Sequence, residues 1–510
     1  MLKKIRVIIA AFFILAITLL FLDYTGTVHA YLGWCARVQF IPALLAFNIM
    51  VFVVLMVITF LLGRVYCSTI CPLGIFQDIV SRFAGIFKKN RFSYRPSQKI
   101  FVGLRFALLG IFTLAVIVNI AIITVLLEPY SAYGRMVAQI FGPAYQLGNN
   151  LLAYFAERMD SYMFYTVDVW INSMTAFVTA AVTFIVITIF ALKSGRGYCN
   201  TICPVGTFLG ILARFSILKL RIINREKCVN CSLCVKNCKA SCIDANLGKI
   251  DYFRCVTCFN CLKGCPKGAI KYVCAKGAPD MEKRTETSMK KSTDELTNAG
   301  VVRRGFISGA VMLVLGLFTR NTVQAFDPDG GLVPLEGKRA PARSHPIIPP
   351  GADNIRNFRR RCTGCQLCVS VCRNQVLRPS DKVSGFLQPH ISFERGYCRP
   401  ECVKCSQVCP TGAIRPITTA EKSATQIGYA IWQKDLCVVL TDNVSCDLCA
   451  FKCPTAAITM IPQSATSPGL PRIPMVDTNR CIGCGACENL CPVRPYSAIY
   501  VEGIDTHRTI

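Results

Sequence analysis

Apolar residues gather in four runs long enough to cross a bilayer, about 5–22, 40–62, 100–127 and 169–192, and each predicts a membrane-spanning helix. The polar stretches between them differ in charge. Segment 63–99 carries Arg64, Arg82, Lys88, Lys89, Arg91, Arg95 and Lys99; the segment after the fourth run carries Lys193, Arg196, Arg214, Lys219, Arg221, Arg225 and Lys227. By contrast, 23–39 holds only Arg37, and 128–168 only Arg135 and Arg158. The positive-inside rule therefore predicts that both ends of this four-helix unit face the cytoplasm. A fifth apolar run, Phe306 to Phe318, is short for a span and suits a signal or a surface anchor. It is preceded by a polar, charged linker (276–300) and followed by a Pro- and Gly-rich stretch (326–355, including Pro349-Pro350-Gly351) that reads as an extended tether. From about 356 to 510 helical periodicity is weak and turn residues are frequent.

Within the membrane portion the chain repeats itself at an offset of 132 residues. GRVYCSTICPLGIF (63–76) matches GRGYCNTICPVGTF (195–208), and the likeness reaches Arg82-Phe83 against Arg214-Phe215. The predicted unit, 1–222, is a duplicated pair of two-helix hairpins with pseudo-two-fold symmetry. Each copy presents C-x3-C-P where a helix leaves the membrane, so symmetry brings Cys67, Cys71, Cys199 and Cys203 towards one axis. Such thiols can bind one further iron–sulfur cluster, form two redox disulfides, or shape a turn.

The other cysteines carry the strongest chemistry. Cys228-Cys231-Cys234-Cys238, Cys255-Cys258-Cys261-Cys265, Cys362-Cys365-Cys368-Cys372 and Cys481-Cys484-Cys487-Cys491 each read C-x2-C-x2-C-x3-C. In that spacing three thiolates wrap one [4Fe–4S] cube and the fourth reaches a neighbouring cube. Two looser runs, Cys398-Cys402-Cys405-Cys409 and Cys437-Cys446-Cys449-Cys453, keep the C-x2-C-x3-C-P ending. Together these 24 cysteines suffice for six clusters, a wire for single electrons. Disulfide stapling requires no such repeat, and zinc knuckles pair across longer gaps. Residues 223–275 are expected to form a two-cluster unit in which Cys228, Cys231 and Cys234 share Cys265, and Cys255, Cys258 and Cys261 share Cys238. Cys242 is a rival to Cys238. Cys35 and Cys274 fit no repeat and are expected to be buried small hydrophobes.

Composition narrows the remaining classes. With four histidines, none inside a long apolar run, and no C-x-x-C-H, haem is not expected. No strand-linked G-x-G-x-x-G or G-x4-G-K-[ST] supports a nucleotide site. The formal charge of +28 falls to roughly +16 with six cubes of about −2 each, and much of the rest flanks membrane helices, so no nucleic-acid partner is expected. Glu128, Tyr130, Arg135 and Asp168, beside the helices on the predicted outer face, suit either proton release or interfacial anchoring.

Arg303-Arg304-Gly305-Phe306-Ile307, before the fifth apolar run, resembles a twin-arginine export signal set inside the chain, with Val323-Gln324-Ala325 resembling a cleavage site. Residues 1–275 resemble the NapH family in their four spans, two C-x3-C-P motifs and two cytoplasmic cluster motifs. Residues 301–510 resemble the NapG/MauM ferredoxins in the leader and four motifs, including the irregular Cys437-x8-Cys446. The resemblance implies a multidomain membrane protein: a four-helix transmembrane domain (1–222), a 2[4Fe-4S] ferredoxin-like domain (223–275), a signal or anchor (301–325) and a 4[4Fe-4S] polyferredoxin domain (356–510). It implies a quinol dehydrogenase in the bacterial cytoplasmic membrane, with the C-terminal domain in the periplasm. Its partners would be membrane quinol and a periplasmic reductase, of the nitrate reductase type, or that reductase's cytochrome c. Two alternatives stand beside it: a membrane ferredoxin for metal-centre maturation, and an outward relay from a cytoplasmic ferredoxin. Resemblance to four-cluster ferredoxins also implies that the first motif of the last domain pairs with the fourth and the second with the third. Cys362, Cys365 and Cys368 would then use Cys491, with Cys372 serving Cys481, Cys484 and Cys487, while Cys398, Cys402 and Cys405 would use Cys453, with Cys409 serving Cys437, Cys446 and Cys449.

Overall fold

Among the described residues three helices, Leu2–Leu22, Lys99–Val118 and Met174–Ser194, are long and apolar enough to cross a membrane. On Leu2–Leu22 a single stripe is buried (Ala10, Phe13, Ile17, Leu20, Phe21), while Ile8 and Leu15 on the opposite side are exposed. Apolar residues facing outward in this way match a bilayer rather than water. The computed structural model describes residues 1–23, 26–87, 92–94, 99–223, 228–245, 247–274, 336–463 and 470–510. The expected linker (276–300) and internal signal (301–325) lie outside them, as do Lys88, Lys89, Arg91, Arg95, Arg225 and Lys227.

Two of the expected spans are interrupted. Run 40–62 becomes Phe40–Leu45 and Ile49–Leu62, parted where Phe47 takes φ 54° and the Asn48 side chain accepts from the Val51 amide. Ile49–Leu62 has 14 residues, about 21 Å, short of a hydrocarbon core about 30 Å thick. Run 100–127 likewise breaks at Asn119, φ 69°, into Lys99–Val118 and Ala121–Leu127. Asparagine tolerates the left-handed region, which suits Asn119 to the second break; at the first, Asn48 acts as the N-cap of the helix that follows.

The duplication is visible in three dimensions. Ile49–Leu62 and Met174–Ser194 each stop at a left-handed glycine, Gly63 (φ 76°) and Gly195 (φ 63°). A short helix follows (Tyr66–Thr69; Gly197–Thr201), then Cys-Pro and a third helix (Pro72–Phe87; Pro204–Arg214). Each third helix packs on the other copy's long helix: Pro72–Phe87 on Met174–Ser194, and Pro204–Arg214 on Ile49–Leu62.

At one end of this bundle sits the unit expected to hold two clusters, tied by an antiparallel pair, Leu218–Ile222 with Ile270–Cys274. It is bonded to the end of Ile49–Leu62 through Ile217 N–H to Phe60 O and Tyr272 O–H to Leu62 O, both 2.9 Å. Cys274 is exposed, contrary to the expected burial: alternation puts it on the face of Ile270 and Tyr272, but it is the last residue of its strand; Cys35 is buried as expected. At the other end lies the domain expected to hold four clusters, whose longest pairing is Thr425–Trp432 with Ile499–Thr509. Residues 1–277 and 338–510 form one compact unit. The tether expected to run to 355 is in fact part of this domain from 338 onward. Lys338 Nζ donates to the carbonyls of Glu488 and Asn489 (2.5 Å each), and Ile347 and Ile348 are buried in its core. The apolar Ile347-Ile348 pair outweighs the extended bias of the prolines beside it.

Candidate metal centres

Every one of the 31 cysteines is unbridged. Among the described residues no trio of His, Cys, Asp or Glu closes on a single-ion position. The cysteines instead stand in fours. Cys228, Cys231, Cys234 and Cys265 line one small cavity, the grouping expected from their spacing. In the second set Cys238 lies within electrostatic reach of Cys255, Cys258 and Cys261. Cys242 hydrogen-bonds to Cys238 (Sγ to Sγ 3.5 Å), which holds the Cys238 thiol low. Cys242 also hydrogen-bonds to Cys255, so both Cys238 and Cys242 stand beside the second set.

In the last domain the groupings differ from those implied by resemblance. Cys372, Cys398, Cys402 and Cys405 line one cavity. Cys409 neighbours Cys362, Cys365 and Cys368. Cys453 neighbours Cys481 and Cys484, and Cys491 neighbours Cys449. The first motif therefore exchanges its fourth cysteine with the second, and the third with the fourth. The reason is local packing: helix Leu367–Ser370 packs on Lys404–Val408, and Leu448–Phe451 on Ala486–Leu490.

Backbone shape explains what the four regular motifs share. Both residues flanking the second cysteine have positive φ: Asn230 and Ser232, Thr257 and Phe259, Gly364 and Gln366, Gly483 and Gly485. Alternating hands of this kind turn successive amides inward to form an anion-binding concavity. Glycine is obligatory at Gly485, where a Cβ would overlap the Phe393 ring. The looser motifs lack this flanking pattern. Behind two of the Cys-Pro steps an amide points at sulfur, Ala269 N to Cys265 Sγ and Ala457 N to Cys453 Sγ, both 3.3 Å. Burial, and then neighbouring thiols, push Cys258 up to about 11 and Cys365 and Cys484 up to about 12. Closely gathered thiols resist ionising together unless a cation holds them, so sets of four thiols with inward amides fit [4Fe–4S] cubes well.

The repeat brings a further four thiols together. Cys67, Cys71, Cys199 and Cys203 are all buried, and Cys203 is within electrostatic reach of the other three. Donors surround them: Gln77 Nε2 at 3.1 Å from Cys199 Sγ, the Gly206 amide at 3.3 Å from Cys203 Sγ, and Arg64 Nη2 at 3.9 Å from Cys67 Sγ. Arg64 and Arg196, counted in sequence as surface charges that report topology, are 1% and 0% exposed. They cross between copies. Arg64 reaches Asn200 Oδ1 at 3.0 Å and the Cys199 carbonyl, and Arg196 reaches the Cys67 carbonyl at 2.6 Å. Arg196 also meets Asp78 at 2.8 Å, beside Arg6 (3.2 Å) and Lys239 (3.4 Å). Burial opposes charge on Asp78, but Arg196, Lys239 and Arg6 outweigh it and hold the carboxyl well below the usual range. Sequence reasoning missed Asp78; the paired Gly-Arg-x-Tyr-Cys was the signal for the arginines.

At the far end the first motif of the last domain is seated on the membrane unit. Ser131 Oγ and Thr363 Oγ1 are 2.8 Å apart, Gln139 Nε2 donates to Gln366 Oε1 at 2.7 Å, and Gly134 lies against the Cys365 carbonyl. Trp170 is held between Arg378 (4.4 Å) and Arg395 (4.2 Å), and Ser173 bonds Asp381 at 2.8 Å. Of the polar residues singled out on this face, Glu128 is buried and caps helix Pro129–Met136, accepting from the Tyr130 and Ser131 amides. Arg135 is buried, donates to the Val125 carbonyl, and lies within electrostatic reach of Glu128, Tyr198 and Cys365. The Tyr130 hydroxyl and the Arg135 Nε and Nη2 have no hydrogen-bond partner among the described residues. Asp168 is exposed.

Two family models match the chain. One, described as a 4Fe-4S binding domain, covers 44–90 and 175–223, the two copies of the repeat. The other, a 4Fe-4S dicluster domain, covers 361–413 and 444–494. Among curated relatives the chain is similar to the methylamine utilization ferredoxin-type protein MauM of Methylobacillus flagellatus, at 31% identity over 162 residues, 31% of this chain and 68% of the relative. It is similar to the ferredoxin-type protein NapF of Escherichia coli K12, at 30% over 159 residues, 31% of this chain and 88% of the relative. The ferredoxin-type protein NapG of the same organism matches at 30% over 165 residues, 31% of this chain and 71% of the relative. No solved structure matches.

Proposed function

We propose that this chain, which belongs to the ferredoxin-type iron–sulfur proteins, takes electrons from a membrane quinol and relays them through [4Fe–4S] clusters to a reductase outside the membrane. One observation carries the reading: cysteine sets follow one another from end to end of the bundle. Helix Leu2–Leu22, about 31 Å long, faces the two-cluster unit at Lys3 and the first motif of the last domain at Phe21. Between those ends lie Cys67, Cys71, Cys199 and Cys203, and then Tyr198 and Arg135, which link electrostatically from Cys203 to Cys365.

The 24 motif cysteines would hold six clusters, and the four of the repeat a seventh. When bound, the clusters supply one-electron storage over a wide range of potentials, while quinol oxidation releases two electrons and two protons. The residues do the rest. Inward amides beside the second cysteines of the regular motifs stabilise negative charge, and Arg64 and Arg196 offset the charge of the four central thiolates. Arg135 and Tyr130 offer free donors beside Cys365. The relatives are named for methylamine utilization as well as for the Nap proteins, so the family does not specify the terminal acceptor.

The test is anaerobic: holoprotein in detergent is counted for iron and mixed with a reduced menaquinol analogue while the clusters are followed by electron paramagnetic resonance. Reduction of several clusters is expected. Clusters that ignore quinol but accept electrons from a low-potential ferredoxin would transfer the assignment to an outward relay or to metal-centre maturation.

A further inference from the structure

A cleft of two lobes, about 600 and 800 Å³, opens where the start of helix Leu2–Leu22, helix Pro72–Phe87 and the two-cluster unit meet. The lobes share Lys3, Val7 and Arg82. Among the described residues no aspartate or glutamate lines either. Lys3, Arg82, Lys236 and Lys263 line it without a hydrogen bond or ion pair among the described residues. Arg6 and Lys239 share the single carboxylate of Asp78 with Arg196, so charge remains uncompensated behind the rim as well. Arg6, with a side chain 8% exposed, lines the cleft with a buried Nε that has no hydrogen-bond partner among the described residues.

The walls are otherwise apolar. Val7 and Ile8 follow the cationic turn of the helix, and Ile86 faces them from Pro72–Phe87. Ile8 and Ile86 are 68% and 72% exposed, so the apolar surface runs on out of the cleft along the spanning helix. The site therefore grades from cations to greasy surface in the direction of the bilayer. A small anion would leave the apolar wall bare, and a neutral lipid would leave the cations unpaired.

We propose that this cleft binds the headgroup of an acidic phospholipid, with its acyl chains lying along Val7, Ile8 and Ile86. The lipid pins the two-cluster unit against the membrane bundle at the junction near Cys258, whose field reaches Lys3. The inference does not depend on quinol as the electron donor.

Delipidated full-length holoprotein is titrated with phosphatidylglycerol or phosphatidylcholine and retained lipid is read by native mass spectrometry, with inorganic phosphate as competitor. Phosphatidylglycerol is expected to be retained where phosphatidylcholine is not, and phosphate is expected not to displace it. The pair R82Q/K263Q should weaken retention about 25-fold, at about fivefold per cation, whereas R82K/K263R should keep it, with iron content unchanged in both. Equal retention of the two lipids by the unmodified protein would overturn the proposal, whatever the variants do. So would displacement by phosphate, which would make it a free-anion site, or undiminished retention in a folded R82Q/K263Q protein.

Discussion

The two copies of the repeat agree where they face each other and differ where they face different neighbours. Gly63 and Gly195, Arg64 and Arg196, Cys67 and Cys199, Cys71 and Cys203, and Gly74 and Gly206 occupy matching positions around one buried core. A Cβ on Gly74 would strike the Cys67 carbonyl, and one on Gly206 the Cys199 carbonyl. By contrast, Asp78 of the first copy corresponds to Gly210 of the second. Asp78 faces Arg6 of the first helix and Lys239 of the two-cluster unit, whereas Gly210 lies against the Phe253 carbonyl. Symmetry is retained at the four thiols and at the arginines and glycines beside them, with Gln77 (Leu209 in the second copy) the exception, and is abandoned where each copy meets a different surface.

Breaking the shared core should have the largest effect. Cys67→Ser and Cys199→Ser, in opposite copies, are expected to cost the same iron and to abolish end-to-end electron flow equally. Iron analysis that found one variant depleted and the other intact would show that the copies do not share a centre.

Next come the arginines. Arg196→Gln removes the main partner of a buried carboxylate and should destabilise by about 3–5 kcal/mol, while Arg64→Gln loses hydrogen bonds to Asn200 and the Phe253 carbonyl and should cost about 2–3 kcal/mol. Thermal unfolding of the holoprotein ranks them; a larger loss for Arg64→Gln would reverse the asymmetry.

Asp78→Asn sharpens the same point through pH. Because the folded carboxyl is held below its ordinary value of 3.8, its stabilisation is fully present above that pH and is lost only as pH falls through the folded value. The stability gap between wild type and Asp78→Asn should therefore stay constant from about pH 8 to about pH 5. A gap that closes across this interval would assign the stabilisation to another group.

The smallest effect is at the close approaches. Gly74→Ala and Gly206→Ala should each cost about 1–3 kcal/mol and match one another, since each presses on a cysteine carbonyl of its own copy. Unfolding midpoints that differ widely would mean that one copy is packed more loosely.

The spacing of the 24 motif cysteines, the duplication and the membrane runs were legible because each is a local pattern. What escaped were features made by distant partners. The exchange of fourth cysteines between adjacent motifs depends on which short helices pack, which no spacing encodes. Arg64 and Arg196 look in sequence like surface charges beside a helix, and only the fold shows each entering the opposite copy. Ile347-Ile348 was masked by Pro349-Pro350, though the apolar pair decides the segment's place. Asp78 has no symmetric counterpart to draw attention to it.

The most direct test of the central claim compares wild type with the protein in which Cys67, Cys71, Cys199 and Cys203 are all serine, each anaerobically loaded and given a menaquinol analogue. Paramagnetic resonance then follows cluster reduction. The account predicts one cluster fewer in the variant, with quinol no longer reducing clusters at both ends of the bundle. Equal iron and unchanged reduction throughout would contradict it.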